Sequence, residues 1–149
     1  MDAFELLKND HAKVSTLFDR IEPATDATTR QQLFAQLKQE LELHAHIEET
    51  ILYPVLKGIA ETRDTTEEGY EEHQEVKDLL SELEATPADG EEWSDLIVEL
   101  RENVEHHVEE EEGEMFTMAR EVLSEQQIND IGARMSAEKQ QRQKAAAAS

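Results

Sequence analysis

Six side chains in this 149-residue sequence have the types and the spacing to hold metal. His44 and Glu48 are four residues apart, so on a helix they stand one above the other on a single face. That face is otherwise apolar, because Leu37, Leu41, Ile51 and Val55 fall on the same stripe. An ionised carboxylate taken out of water without a partner costs several kcal/mol, so such a helix needs a positive charge inside the core. No Lys or Arg lies on the stripe, whereas a bound cation could take a nitrogen from His44 and an oxygen from Glu48. The pattern then recurs: His107 and Glu111 follow His44 and Glu48 after 63 residues, and His73 follows His11 after 62. The surrounding residues agree, HAHIEETILY with HVEEEEGEMF and HAKVSTLF with HQEVKDLL. A lone histidine on an apolar stripe is ordinarily a core histidine. Four of them, two joined to a buried-face Glu at equal spacing, point to a metal site made of His11, His44, Glu48, His73, His107 and Glu111.

Ligand type narrows the ion. Four imidazoles and two carboxylates without sulfur suit two borderline or harder ions, iron or, less favoured, manganese, with Glu48 and Glu111 long enough to bridge them. Two His per ion and two shared carboxylates give about four protein ligands each, short of octahedral, which leaves room for an oxo or hydroxo bridge and a small ligand. Catalytic zinc fits less well, since the sequence has neither HExxH nor a compact three-ligand set.

Helices must position these residues. Only five Gly and three Pro among abundant Glu, Leu, Ala, Lys and Gln predict an all-α chain. The first helix is expected to start at Asp2 in a capping box with Glu5, carrying Phe4, Leu7, His11, Val14, Phe18 and Ile21 on one stripe. Pro23 and the polar run to Thr29 end it; the second helix carries Leu33 through Val55 and is expected to kink at Pro54. Gly58 and a Thr-rich stretch around Arg63 to Thr66 form the next connection. A third helix, from about Glu67 to Ala85, has His73, Val76, Leu80 and Leu83 inward. After the turn ATPADG, Asp89 and Glu92 suggest a capping box for a fourth, with Trp93, Leu96, Leu100, Val104, His107, Glu111, Met115 and Met118 on its stripe. Ser124 with Gln127 starts a short fifth helix bearing Ile128, Ile131 and Met135. The expected organisation is an up-down-up-down four-helix bundle over residues 1–122, a C-terminal helix over 123–142 and a disordered tail over 143–149. His46 and His106 point away from the centre, Glu49 and Glu112 face solvent or support the ligands, and Tyr53, Tyr70, Phe116 and Trp93 are candidates for lining the site.

Composition excludes several functions. The absence of cysteine rules out a disulfide framework, a thiolate site and a cysteine nucleophile. A formal charge of −22 disfavours nucleic acid and anionic lipid as partners. With no basic region followed by an apolar run at the N-terminus and no long apolar stretch, a soluble cytoplasmic protein, monomer or homodimer, is the expectation.

The duplicated HxxxE motifs, the first continuing as E-T-I-L-Y-P, with isolated histidines His11 and His73 on the preceding helices, resemble the hemerythrin family, specifically bacterial HHE cation-binding domains. The resemblance covers roughly residues 2 to 120 and implies a four-helix bundle around a non-haem di-iron centre, with His11, His44, Glu48, His73, His107 and Glu111 as ligands. Oxygen-carrying hemerythrins have a second histidine one turn after that on the third helix, and here Lys77 stands in that place. By that resemblance both ions keep open positions, which speaks against a simple oxygen carrier and for bridging ligands such as peroxide, or redox turnover. The leading expectation is a di-iron protein that binds or reacts with oxygen, peroxide or nitric oxide, as carrier, sensor or peroxide-consuming catalase- or peroxidase-like enzyme. Iron handling or repair of other iron centres, and a metal-free helical interaction module, are the alternatives.

Overall fold

The computed structural model describes the backbone of residues 1–148 and the side chains of residues 1–147. Helix α1 runs Ala3–Ile21 from the expected capping box, in which Asp2 accepts the Glu5 amide and Glu5 accepts the Asp2 amide. Helix α2 spans Ala27–Ile47 and passes through a π-helical turn, Glu48–Leu52, into α3, Tyr53–Lys57. A 3-10 turn at Ala60–Thr62 leads to α4, Arg63–Glu84. Helix α5, Glu91–Glu110, passes through a second π turn, Glu111–Met115, into α6, Phe116–Val122. Helix α7 covers Glu125–Ala148. Counting α2 with α3 and α5 with α6, the expected four-helix bundle is present, with α1 packed on α2, α4 on α5 and α7 laid against α1 and α2.

Several boundaries differ from the sequence reading. Helix α4 begins at Arg63, so the Thr-rich segment is helical rather than connecting. Its threonines find backbone partners there: Thr62 Oγ1 donates to the Leu56 carbonyl at 2.6 Å, and Thr66 Oγ1 to that of Thr62 at 2.6 Å. Gly90, not Asp89, caps α5, and no side chain bonds the cap, so the expected Asp89–Glu92 box does not form. Just before Pro54, the expected site of a kink, the helix passes through a π turn that adds a residue, and the buried stripe shifts with it. Leu52 and Leu56 are fully buried while Val55 is only partly so. Past the second π turn, Phe116 and Ala119 are buried in place of the expected Met118, and earlier on α5 Ile97 replaces Leu96.

The C-terminal helix is long rather than short. Residues 143–148, expected as a disordered tail, continue α7, in keeping with the high helix propensity of alanine; Ser149 lies outside the described residues. Ser124 Oγ accepts the Gln127 amide, and Ile128, Ile131 and Met135 are buried against Phe4 and Leu7. Gly132 permits this docking, because a Cβ there would stand 2.8 Å from the Ala3 amide nitrogen. Two apolar clusters result, one around Phe4, Tyr53 and Phe116 and one around Phe18, Leu37 and Trp93, with a polar layer between them.

Candidate metal centre

All six predicted residues meet in that polar layer, and each is at least nine-tenths buried. His11 comes from α1, His44 from α2, His73 from α4 and His107 from α5, while Glu48 and Glu111 open the two π turns. They fall into two groups of mutually close ligand atoms: His11 and His44 with Glu111, and His73 and His107 with Glu48 and Glu111. Glu48 reaches both, its Oε1 lying 2.9 Å from His73 Nε2 and 3.2 Å from His44 Nε2. Glu111 does the same, with Oε1 3.1 Å from His11 Nε2 and Oε2 3.0 Å from His107 Nε2. The Nε2 atoms of His11 and His44 are 3.2 Å apart.

Each imidazole is held from behind by a carboxylate on its other nitrogen. Nδ1 of His11 meets Glu112 at 2.6 Å, His44 meets Asp10 at 3.3 Å, His73 meets Glu49 at 2.9 Å and His107 meets Glu72 at 2.6 Å. An anionic acceptor at Nδ1 fixes the Nδ1–H tautomer and frees the Nε2 lone pair for a cation. These partners obey the internal repeat, Asp10 matching Glu72 and Glu49 matching Glu112. The supporting role of Glu49 and Glu112 was readable from sequence. Asp10 and Glu72 were missed, although each directly precedes a repeated histidine.

The chemistry of the cluster fits a cation. Glu48 Oε2, Glu111 Oε1 and His107 Nε2 are buried without a hydrogen-bond partner, and His107 Nε2 lies off the hydrogen-bonding line of the nearby Glu111 oxygen. Buried polar atoms are ordinarily satisfied, so three orphans within one buried cluster indicate a ligand-binding role. Burial pushes the Glu48 and Glu111 carboxyls up, and Glu111 raises Glu48 further, whereas the interaction with Glu48 lowers Glu111. Attraction from His44 and His107 outweighs this at Glu48, and attraction from His107 and His11 outweighs burial at Glu111, so both are held low. Burial likewise pushes His44, His73 and His107 down, and the facing carboxylates more than reverse it, so all three rings bind protons more tightly than free imidazole.

Tyr53 is the further polar group at the centre. Its hydroxyl donates to Glu111 Oε2 at 2.7 Å and lies 3.4 Å from Glu48 Oε1, with its ring stacked on His73. Phe116 stacks on His11 in the matching place. Tyr70 packs edge-on against Tyr53, whereas Trp93 belongs to the far cluster with Phe34 and does not line the site. His46 is partly buried, its Nε2 3.0 Å from Glu138 of α7, and His106 is exposed. Opposite Tyr53, a cavity of about 40 Å³ is lined by the four imidazoles and by apolar side chains including Val14, Leu41, Val76, Leu80 and Val104. Lys77 also lines it, but its Nζ lies 3.3 Å from Glu49 Oε2. Among the described residues no helix is long and apolar enough to cross a membrane.

Comparison with known proteins shows the family. A DNA nickase of Nostoc sp. is 33% identical over 127 residues, covering 85% of this chain and 36% of that protein. An uncharacterized hemerythrin-like protein of Schizosaccharomyces pombe is 28% identical over 120 residues, covering 79% and 59%. The chain thus spans less than two thirds of either of these relatives. The crystal structure of a hemerythrin HHE cation binding domain-containing protein from Mycobacterium kansasii has a TM-score of 0.87 and 29% identity, covering 98% of this chain and 90% of that one. The family model for the hemerythrin HHE cation binding domain matches residues 2–119, from the α1 cap into α6. That span takes in every helix contributing to the histidine–glutamate cluster, and the chain belongs to the hemerythrin HHE cation-binding domain family.

Proposed function

We propose that this chain is a non-haem di-iron protein that binds or reacts with a small molecule, oxygen, peroxide or nitric oxide. His11 and His44 would hold one ion and His73 and His107 the other, with Glu48 and Glu111 in reach of both pairs. The observation that carries this reading is the convergence of four Nε2 atoms on two buried carboxylates, with oxygens of both carboxylates lacking any hydrogen bond. Bound iron supplies electron transfer and coordination positions that four protein ligands per ion leave open. Manganese would satisfy the same donors less distinctively.

The protein's own part is orientation and exclusion. Asp10, Glu49, Glu72 and Glu112 lock the rings, and Tyr53 holds Glu111 by donating to one of its oxygens. The cavity on the histidine side has room for roughly two or three water-sized molecules, and its apolar walls favour a small neutral ligand over an ion. Lys77 pairs with Glu49, which supports the view that it does not replace a ligand. The nicking activity named for the Nostoc relative is not carried over, since this chain covers 36% of that protein and has a net charge of −22.

Metal analysis with an absorption spectrum tests the centre, the expected result being two irons per chain; a purified protein with almost no metal would end the proposal. Stopped-flow mixing of reduced protein with oxygen and then with peroxide separates the functions. A stable adduct that releases oxygen on degassing identifies a carrier or sensor, rapid peroxide loss identifies an enzyme, and ready transfer of iron to an apo acceptor identifies iron handling.

A further inference from the structure

Of the four carboxylates that hold imidazole Nδ1 atoms, Asp10 is the one sealed from water. Its side chain is 4% exposed, against 14% for Glu72, 23% for Glu49 and 34% for Glu112. A carboxylate that reaches solvent keeps its charge by hydration, whereas a buried one needs a cation beside it. Lys139 is that cation: its Nζ donates to Asp10 Oδ1, while Asp10 Oδ2 faces His44 Nδ1 at 3.3 Å. Lys139 stands on α7, beyond residue 119 where the family match ends. The same helix is anchored by Ile128, Ile131 and Met135, and its Glu138 contacts His46 on α2. The C-terminal helix is thereby wired to one side of the metal centre through a chain of Lys139, Asp10 and His44.

We propose that Lys139 is a positioning residue for His44, so that metal occupancy at the His11–His44 position depends on the docked C-terminal helix. The inference rests on the reading of His44 as a metal ligand. With the ammonium present, Asp10 keeps a fixed anionic oxygen on the ring and directs Nε2 toward Glu48. Without it, a buried carboxylate is left uncompensated and no longer gives His44 a fixed acceptor. The His73–His107 position is held by Glu49 and Glu72 on the bundle helices and does not depend on α7.

Cobalt(II) titration of the metal-stripped full chain tests this. Wild type takes up two ions tightly. Lys139→Met keeps one tight ion and binds the other roughly 10–100-fold more weakly, as loss of an outer partner of a metal-bound histidine does. Lys139→Arg, which retains the cation, behaves as wild type. The double variant Asp10→Asn with Lys139→Met leaves no uncompensated carboxylate behind His44, so it folds even where Lys139→Met does not, and it shows the same loss at one position. Nitrogen NMR of the imidazoles in the metal-free single or double variant moves the His44 signals and leaves those of His73 and His107 in place. Two tight ions in both variants overturn the positioning role, as does equal weakening of both positions, which marks general destabilisation. A wild-type chain that binds fewer than two ions, or a His44→Ala chain that still binds both tightly, instead overturns the metal-centre reading itself.

Discussion

Replacing Gly69 by alanine measures how rigidly Tyr53 is held over the centre. A Cβ at residue 69 would stand 2.7 Å from the Tyr53 hydroxyl oxygen, 3.0 Å from Cζ and 3.1 Å from Cε2. Comfortable contact is about 3.5–4.0 Å, so the ring would have to retreat by roughly half an ångström or more. Retreat is blocked on each side. The ring is fully buried, its centroid is 5.0 Å from that of Tyr70 and 5.2 Å from that of His73, and its hydroxyl is tied to Glu111. Overpacking of this kind costs about 1–3 kcal/mol, and giving up a hydrogen bond to a charged group costs about 1.5–3 kcal/mol. Alanine in a helix interior returns about 1 kcal/mol relative to glycine. Since moving the ring relieves the clash at the expense of the hydrogen bond, the hydrogen-bond cost is the one met in full, and less the roughly 1 kcal/mol returned by alanine the net loss is about 0.5–2 kcal/mol.

Thermal unfolding of the metal-stripped chain should register this as a fall in Tm of about 1–8 °C, at about 2–4 °C per kcal/mol for a chain of this size. Gly113→Ala is the control: nothing lies within 4 Å of a Cβ there, so no loss is expected. In a Tyr53→Phe background the nearest clashing atom is gone, and the cost of Gly69→Ala should shrink, a coupling that a double-mutant cycle reads directly. The reasoning fails when Gly69→Ala melts at or above wild type, or when it costs as much in the Tyr53→Phe background as it does with the tyrosine in place.

Other perturbations separate the ligands from their neighbours. Glu48→Ala or Glu111→Ala should abolish the two-metal site, while His106→Ala keeps it; full metal content in both Glu variants, read by elemental analysis, would refute the ligand assignment. Glu72→Gln or Glu112→Gln keeps the side-chain shape but removes the anion behind His107 or His11, and apparent metal affinity should fall about 10–100-fold by competition with a chelator. Asp26 caps α2, and the Thr29 hydroxyl and amide hold its carboxyl below the ordinary value of 3.8. A depressed folded value means stabilisation that is present above the unfolded value and lost as pH falls through the folded one. The stability advantage of wild type over Asp26→Asn, from urea unfolding, should therefore be constant at neutral pH and shrink in acid below about pH 4; an advantage independent of pH contradicts the cap.

What could be read from sequence was whatever recurs at a fixed interval. The six central residues, the bundle and the five helical rods follow from stripes of period 3.6 and from a repeat of 62 to 63 residues. Boundaries were legible only where a local signal is unambiguous, as at Asp2 and Ser124, and failed where threonines found tertiary partners, as at Thr62 and Thr66. The π turns were not legible, because Pro54 marks only the first of them. The second, at Glu111–Met115, has Thr117 in the matching place, so proline is not their common cause. Both start at a proposed bridging carboxylate, in line with the frequent placement of π turns at functional sites. The Asp10–Lys139 pair was hidden for another reason: it depends on how α7 lies on α1, which no local pattern in either segment encodes.

The departures from the repeat are as informative as the repeat. Tyr53 and Phe116 occupy matching positions, each stacked on a histidine, yet only Tyr53 brings a hydroxyl to a bridging carboxylate. Gly69 matches Leu7, which is fully buried in the apolar cluster that contains Phe116. The two differences belong together. Where the ring carries a hydroxyl, the facing helix gives up its side chain; where the ring is bare, leucine fills the space. The outer carboxylates diverge in the same sense, since Asp10 is buried against Lys139 while its counterpart Glu72 reaches solvent. A duplicated set of donors is thus set in two unlike surroundings, and the two sides of the cluster are chemically inequivalent even though their histidines and glutamates are the same.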